Sequence, residues 1–242
     1  MRILIISDVH SNIVALEAVF AAAGKYDALW CLGDTIGYGP APNECIAAVK
    51  HAEVAISGNH DLACLGKVDL DDFNPDARQA NIWNGKQLLP EHRTWLENLV
   101  PAQYVNEIFT VAHGSPREPV WEYLLTIEQA LENFELFSTQ VCCIGHSHAQ
   151  LVFRKDGHHM CEGFRTTDRD TISLDTDARF FVNPGSVGQP RDYDPRAAYA
   201  LFDAEAQTIS FHRVAYRIDK TQNQMRDVNL PASLVRRLEF GI

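Results

Sequence analysis

Apolar positions in the first half of the chain come in short unbroken runs, separated by stretches of helical period. Residues 2–7 (RILIIS), 28–32 (ALWCL) and 53–57 (EVAIS) have strand length and little polar alternation. That is the pattern of strands covered on both faces of a sheet. Between the first two, Ile13, Leu16, Val19, Phe20 and Ala23 recur at helical spacing, with Ser11 or Asn12 as N-cap and Gly24 as C-cap. Pro42 opens a second helix near 43–50.

Residues 64–106 break this rhythm. A polar run (DLDDFNP) leads into helices near 76–89 and 91–99, whose apolar faces carry Trp83, Leu88, Trp95, Leu96 and Leu99. The stretch reads as a helical insertion beside or over a site. The earlier pattern resumes with a strand at 108–112, a helix near 127–137 and a strand at 141–144. After residue 149 the chain turns β-rich, with strands expected at 150–154, 158–162, 171–175, 179–182, 198–203 and 207–214. A turn at 203–206 joins the last two, and a short amphipathic helix (PASLVRRLEF) closes the chain. Two packed sheets with outer helices accommodate this order better than a doubly wound sheet. The expectation is one α/β (α+β) domain over 1–242.

Composition narrows the classes. The chain has 242 residues and a formal net charge of −11, which argues against broad electrostatic capture of nucleic acid. No run of about 18 apolar residues exists, so no membrane span is expected. The opening MRILIISDVHSN reads as a first strand rather than a signal peptide, with a cytoplasmic location as the default. The cysteines (Cys31, Cys45, Cys64, Cys142, Cys143, Cys161) form no CxxC pair and read as reduced core thiols.

Chemistry concentrates at the strand ends. Asp8-Val9-His10, Gly33-Asp34, Gly58-Asn59-His60-Asp61, His113-Gly114 and Gly145-His146-Ser147-His148 each follow an apolar strand. Ligands of open α/β sheets gather at the carboxyl ends of strands, so these clusters can converge. Carboxylate, carboxamide and imidazole groups suit divalent transition metals. Asp8 and His10, like His146 and His148, are two apart and would project alike if extended geometry persisted. The adjoining glycines allow close packing beside the ligands.

The order DxH, GD, GNH[DE], H, GHxH resembles that of the calcineurin-like metallophosphoesterases. The resemblance runs from residue 3 to about 192, and is strongest toward small bacterial and archaeal members through GDTIGYGP (33–40) and NPGSVGQPRD (183–192). It implies a four-layer fold, two mixed β-sheets between helical layers. It also implies two divalent metal ions (Mn, Fe, Zn or Ni) and hydrolysis by a metal-bridging hydroxide. Asp8, His10 and His148 would hold one metal and Asn59, His113 and His146 the other, with Asp34 bridging. His60 would bind phosphate or protonate the leaving group, and Asp61 would orient His60.

Three residues have two readings each. Asn12 would contact a phosphate oxygen or simply cap the first helix. Tyr38 would line the substrate pocket or pack locally. Arg191 would grip a phosphate or pair with Asp192 or Asp194. His51, His92, His158, His159 and His212 lie outside every cluster and read as solvated surface; Asp69, Asp71 and Asp72 read as a solvated entry to the insertion.

The protein phosphatase branch carries GDxxDRG where this chain has Gly33–Gly39 without the Asp-Arg. A phosphodiesterase acting on a small phosphate ester or nucleotide is therefore expected ahead of a phosphomonoesterase or protein phosphatase. A non-catalytic protein-binding module on the same fold, with eroded metal ligands, is disfavoured because every ligand is present. Nuclease relatives carry extra domains and basic surfaces that this chain lacks. Beyond its small substrate, the expected partners include no membrane, and an oligomeric contact through the insertion remains open.

Overall fold

The computed structural model describes residues 1–157 and 160–242; His158 and His159 lie outside the described residues. In chain order the elements are β1 (Arg2–Ile6), α1 (Ile13–Ala23), β2 (Ala28–Cys31), α2 (Pro42–Val49), β3 (Val54–Ala55), α3 (Asn59–Leu65), α4 (Pro75–Gln87), α5 (Pro90–Glu97), β4 (Ala102–Tyr104), β5 (Phe109–Ala112), α6 (Ile127–Phe134), β6 (Val141–Cys143), β7 (Gln150–Lys155), β8 (Cys161–Arg165), β9 (Thr171–Ser173), β10 (Arg179–Pro184), β11 (Ala197–Asp203), β12 (Thr208–Val214), α7 (Ile218–Asp227) and α8 (Ala232–Arg237).

The strands form two six-stranded mixed sheets, ordered β3-β2-β1-β11-β12-β9 and β4-β5-β6-β10-β7-β8. In the first sheet β1, β2 and β3 run parallel, while β11 is antiparallel to β1. In the second, β5, β6 and β10 run parallel, and β7 is antiparallel to β10. Each sheet thus brings the carboxyl ends of three strands to one edge.

Strand alternation divides the core into layers. Ile3 and Ile5 of β1 pack with Trp30, Val111, Val152, Val182 and Phe211 between the sheets. Leu4 and Ile6 face the opposite way, onto Leu16 and Val19 of α1 and Cys45 and Val49 of α2. On the far side Phe134 of α6 packs on Cys142, Leu151 and Phe181. Helix, sheet, sheet, helix is the four-layer order that the family resemblance implied.

The insertion is folded against the body. Ala77 and Ala80 of α4 pack with Met225 of α7, Leu234 of α8, Leu238 just after α8, and Tyr38. Leu96 of α5 packs with Ile36, Ile46 and Cys64.

Several sequence expectations shift here. Asn59, His60 and Asp61 open helix α3, which the sequence reading did not include, with Gly58 as its N-cap in an extended conformation. β4 is an edge strand inside the expected insertion. The strand expected at 158–162 is β8, further along the chain. Helix α7 was absent from the expectation because its buried face includes Thr221 and Gln222 beside Met225, leaving little apolar period to detect. His92 is 6% exposed and bonds Asn43 through Nδ1 at 2.8 Å, so it is not the solvated histidine expected.

Candidate metal centre

The five polar clusters meet where the carboxyl ends of the parallel strands of both sheets face one another. Asp8, His10, Asp34, Asn59, His113, His146 and His148 are each at most 4% exposed. Asp8, His10, Asp34 and His148 offer ligand atoms within 4.8 Å of one another, and so do Asp34, His113 and His146. Asp34 belongs to both groups. Asn59 joins the second through Oδ1, 3.2 Å from His113 Nε2.

The backbone reaches this geometry in an unexpected way. Extended geometry does not persist past the strands: Asp8, His10, Asp34, His146 and His148 have φ of 53°, 49°, 50°, 63° and 57°. Non-glycine residues rarely adopt this left-handed region, and such strain gathers at functional sites. The turns fold both members of each pair back onto the cluster. Main-chain bonds hold them there: Asp8 N–H to Gly33 O at 3.1 Å, His10 N–H to Asp34 O at 2.9 Å and Gly188 N–H to Asp8 O at 2.9 Å. Glycine is needed at two contacts. A Cβ on Gly58 would collide with the Asp34 carboxylate, and one on Gly33, at φ +92°, would sit 2.6 Å from His113 Nδ1.

Each imidazole presents one nitrogen to the cluster and anchors the other on a backbone carbonyl. His10 Nδ1 donates to Ile36 O (3.3 Å), His113 Nδ1 to Leu32 O (2.8 Å), His148 Nδ1 to Gln189 O (2.6 Å) and His146 Nε2 to Trp121 O (3.2 Å). That pattern sets tautomer and ring angle in metal-ligating histidines. The inward atoms crowd together: His10 Nε2 lies 3.0 Å from His148 Nε2, His148 Nε2 lies 3.2 Å from Asp8 Oδ1, and His113 Nε2 lies 3.4 Å from Asp34 Oδ2. Ligands sharing one cation at about 2.1 Å are separated by roughly 3 Å. Asp8 Oδ1 and Asp34 Oδ2 are buried and accept no hydrogen bond, a costly state for a carboxylate oxygen. The donor set fits divalent cations.

The profile of the calcineurin-like phosphoesterase superfamily domain matches residues 1–207. The chain belongs to the calcineurin-like phosphoesterase superfamily. It is 34% identical to an uncharacterized protein of Methanocaldococcus jannaschii over 99% of this chain and 98% of that one. Its fold matches the crystal structure of a metallophosphoesterase from Sphaerobacter thermophilus with a TM-score of 0.91 and 48% identity, over 100% and 99% of the two chains. A hypothetical protein from Pyrococcus horikoshii shares the fold at a TM-score of 0.80 and 20% identity, over 100% and 98%.

The electrostatics of this phosphoesterase centre favour the ligand state. Burial drives His146 down to about 3, with the charge of His113 adding to it. Burial and His148 hold His10 well below its ordinary value. His113 is the exception: burial lowers it, but Asp34 and Asp8 outweigh this and raise it to about 9. Burial raises the Asp34 carboxyl, yet the surrounding histidines hold it well below the usual range. Neutral imidazoles and ionised carboxylates are the forms that bind metal; His113 must release a proton as a cation arrives.

The residues around the cluster divide differently from expectation. The Asp61 carboxylate does not orient His60. It accepts N–H groups of Thr35 (3.3 Å), Ile36 (3.0 Å) and Gly58 (3.0 Å), tying the Asp34 loop to the start of α3. Burial and the charge of Asp34 push it up to about 7 against those donors. Asn12 caps α1 by accepting from Ala15 N–H (3.2 Å) and Thr221 Oγ1 (2.9 Å), and donates to Gly188 O (3.0 Å) and Tyr216 Oη (3.3 Å). All four of its hydrogen-bonding positions are occupied, so it has no free polar atom for a phosphate.

Arg191 does not pair with Asp192 or Asp194, which bind Arg213 and Arg196. Its Nη2 donates to Tyr38 Oη (3.1 Å) and Gln189 Oε1 (3.0 Å), and its buried Nε has no partner. Tyr38 also packs on His60 and His10, with ring centroids 4.2 and 4.7 Å away. Asn183 ties the NPGS turn to the GHSH loop by donating to Gly145 O (2.6 Å) and Ser147 Oγ (3.0 Å).

An aromatic rim went unnoticed in the sequence. Tyr123 stacks on His146 at 4.0 Å, Phe73 meets His60 at 4.9 Å, and Trp121 meets Phe73 at 5.1 Å. These residues come from the loop after His113 and from the insertion, with no periodic or spacing signal linking them.

Proposed function

We propose that this protein is a phosphodiesterase acting on a small phosphate ester or nucleotide with two divalent cations bound. The observation that carries the dinuclear reading is Asp34, whose carboxylate belongs to both buried ligand groups. Asp8, His10 and His148 would hold one cation, Asn59, His113 and His146 the other, and Asp34 both. When bound, such cations supply hydroxide at neutral pH and neutralise phosphoryl charge. Mn²⁺, Fe, Zn²⁺ and Ni²⁺ all suit this donor set. The whole of 1–242 acts as one metallophosphoesterase domain in this reading.

The residues around the cations bind, orient and move protons. His60 stands against His10 and Tyr38 and takes the role of proton donor to the leaving oxygen. Arg191, braced by Tyr38 and Gln189, directs a guanidinium toward a phosphoryl oxygen. The rim of Tyr123, Trp121 and Phe73 excludes water and suits a planar leaving group. Preference for a diester rests on charge. A monoester carries close to two negative charges at neutral pH, whereas the Asp-Arg that serves phosphoprotein substrates is absent at Gly37-Tyr38. Six free cysteines, five of them buried, fit a reducing cytoplasmic compartment. Among the described residues no helix is long and apolar enough to cross a membrane.

The test is hydrolysis of bis-p-nitrophenyl phosphate and p-nitrophenyl phosphate by protein reconstituted with Mn²⁺, Fe²⁺, Zn²⁺ or Ni²⁺. Diester turnover should exceed monoester turnover and should disappear with chelator. Bound metal without turnover of either ester would point to a binding module instead. A second expectation concerns Arg191. Arg191→Met should lower diester kcat/KM by about 10- to 100-fold, the worth of a charged hydrogen bond at ~1.5–3 kcal/mol. Metal content by atomic emission should stay unchanged, because the Arg191 guanidinium bonds Tyr38 and Gln189 and belongs to neither ligand group.

A further inference from the structure

We infer that Asn81, carried by α4 of the helical insertion, is the positioning residue of His60. The inference rests on the proposed role of His60, and assigns to the insertion a direct part in the site. His60 Nδ1 lies 2.8 Å from Asn81 Oδ1, with the two residues 4% and 0% exposed. An amide oxygen can only accept, so Nδ1 carries a hydrogen, and the proton delivered to the leaving oxygen is a second one, taken up from water at Nε2 as the imidazolium forms. Ring packing against Tyr38, His10 and Phe73 fixes the plane of the imidazole but cannot choose between its nitrogens. The amide makes that choice.

Three further observations support the assignment. Gly37, at φ +97°, closes on the pair so tightly that a Cβ there would lie 2.8 Å from His60 Nδ1 and 3.0 Å from Asn81 Oδ1. One turn along α4, Asn84 accepts from Ser11 Oγ (2.6 Å) and Gly37 N–H (3.3 Å) and donates to Gly39 O (3.1 Å). The helix is therefore bolted to the loops that carry His10 and Asp34, and Asn81 cannot drift relative to His60. Finally, Asn81 Nδ2 is buried without a partner. A half-satisfied amide inside a helix is a poor packing choice, and burial of this kind is tolerated where a polar group has work to do.

The test combines a spectroscopic and a kinetic arm. In the ¹⁵N spectrum of selectively labelled, metal-free protein at neutral pH, His60 should carry its hydrogen on Nδ1. Asn81→Leu should abolish that preference, whereas Asn81→Asp, which keeps an acceptor oxygen in place, should retain it. In metal-loaded protein, Asn81→Leu should lower kcat by about 10- to 100-fold, the range of outer positioning partners. The loss should be larger for phenyl than for p-nitrophenyl diesters, because the poorer leaving group depends more on the proton. Asn81→Asp should recover most of the rate. Added to His60→Gln, Asn81→Leu should cost nothing more, since the residue acts through the imidazole. A hydrogen found on Nε2, or additive losses in the double variant, would overturn the inference. If no ester is turned over at all, the proposed activity of the site fails, and the ¹⁵N arm still decides the bond between Asn81 and His60.

Discussion

Asp34→Asn should remove essentially all phosphoesterase activity and reduce bound metal at both positions, not one. The side chain stands in both ligand groups, so loss of its charge weakens two cations together. Outer-shell partners alone are worth about 10- to 100-fold in affinity, and a shared carboxylate should exceed that. The fold should survive. Asn retains the oxygen that accepts His60 N–H, a bond of 2.8 Å from Asp34 Oδ1. The lost charge faces His113, whose Nε2 lies 3.4 Å from Asp34 Oδ2 and which, against burial, that charge raises to about 9. Removing one partner of a buried charge pair destabilises a protein, so the metal-free variant should melt below the metal-free parent at neutral pH. Metal titration by calorimetry together with thermal melting checks both halves. Loss of one metal with retention of the other would contradict a bridging role.

His60→Gln should behave in the opposite way, keeping both metals and losing rate. The His60 ring touches Tyr38, His10 and Phe73, and neither of the two ligand groups contains it. A positioned proton donor is worth about 10²- to 10⁴-fold, and kcat should fall by that order with little change in KM. Gln keeps much of the volume, which limits collapse between Tyr38 and Phe73. His60→Ala should show the same kinetic loss. Metal content measured alongside steady-state kinetics separates the outcomes; full loss of metal in either variant would show that His60 is a ligand.

Much of this arrangement was legible in the sequence because two strong signals coincided. The run ILII is buried on both faces, and DVH follows after Ser7; the same succession recurs at Cys31–Asp34, Ala112–His113 and Cys143–His148. Strand hydrophobicity placed the clusters at sheet edges, and ligand chemistry gave them a common purpose. What was not legible depended on partners distant in sequence. Asp61 looks like the partner of its neighbour His60, but helical geometry at the start of α3 turns its carboxylate back onto the N–H groups of Thr35 and Ile36. The partner that His60 does find, Asn81, is 21 residues away. Arg191 could not be separated from its acidic neighbours until Arg213 and Arg196 were seen to occupy them. The left-handed turns at Asp8 and His148 were hidden for another reason. Asp and His carry no such preference strongly enough to announce it, and the conformation is imposed by the main-chain bonds of flanking loops.

The central claim is that two cations share Asp34. Anomalous diffraction from crystals of the Mn²⁺-loaded protein tests it most directly. Two peaks about 3.5–4 Å apart, one on each side of the Asp34 carboxylate, are the predicted result. A single peak, or peaks that leave Asp34 without a metal contact, would contradict it.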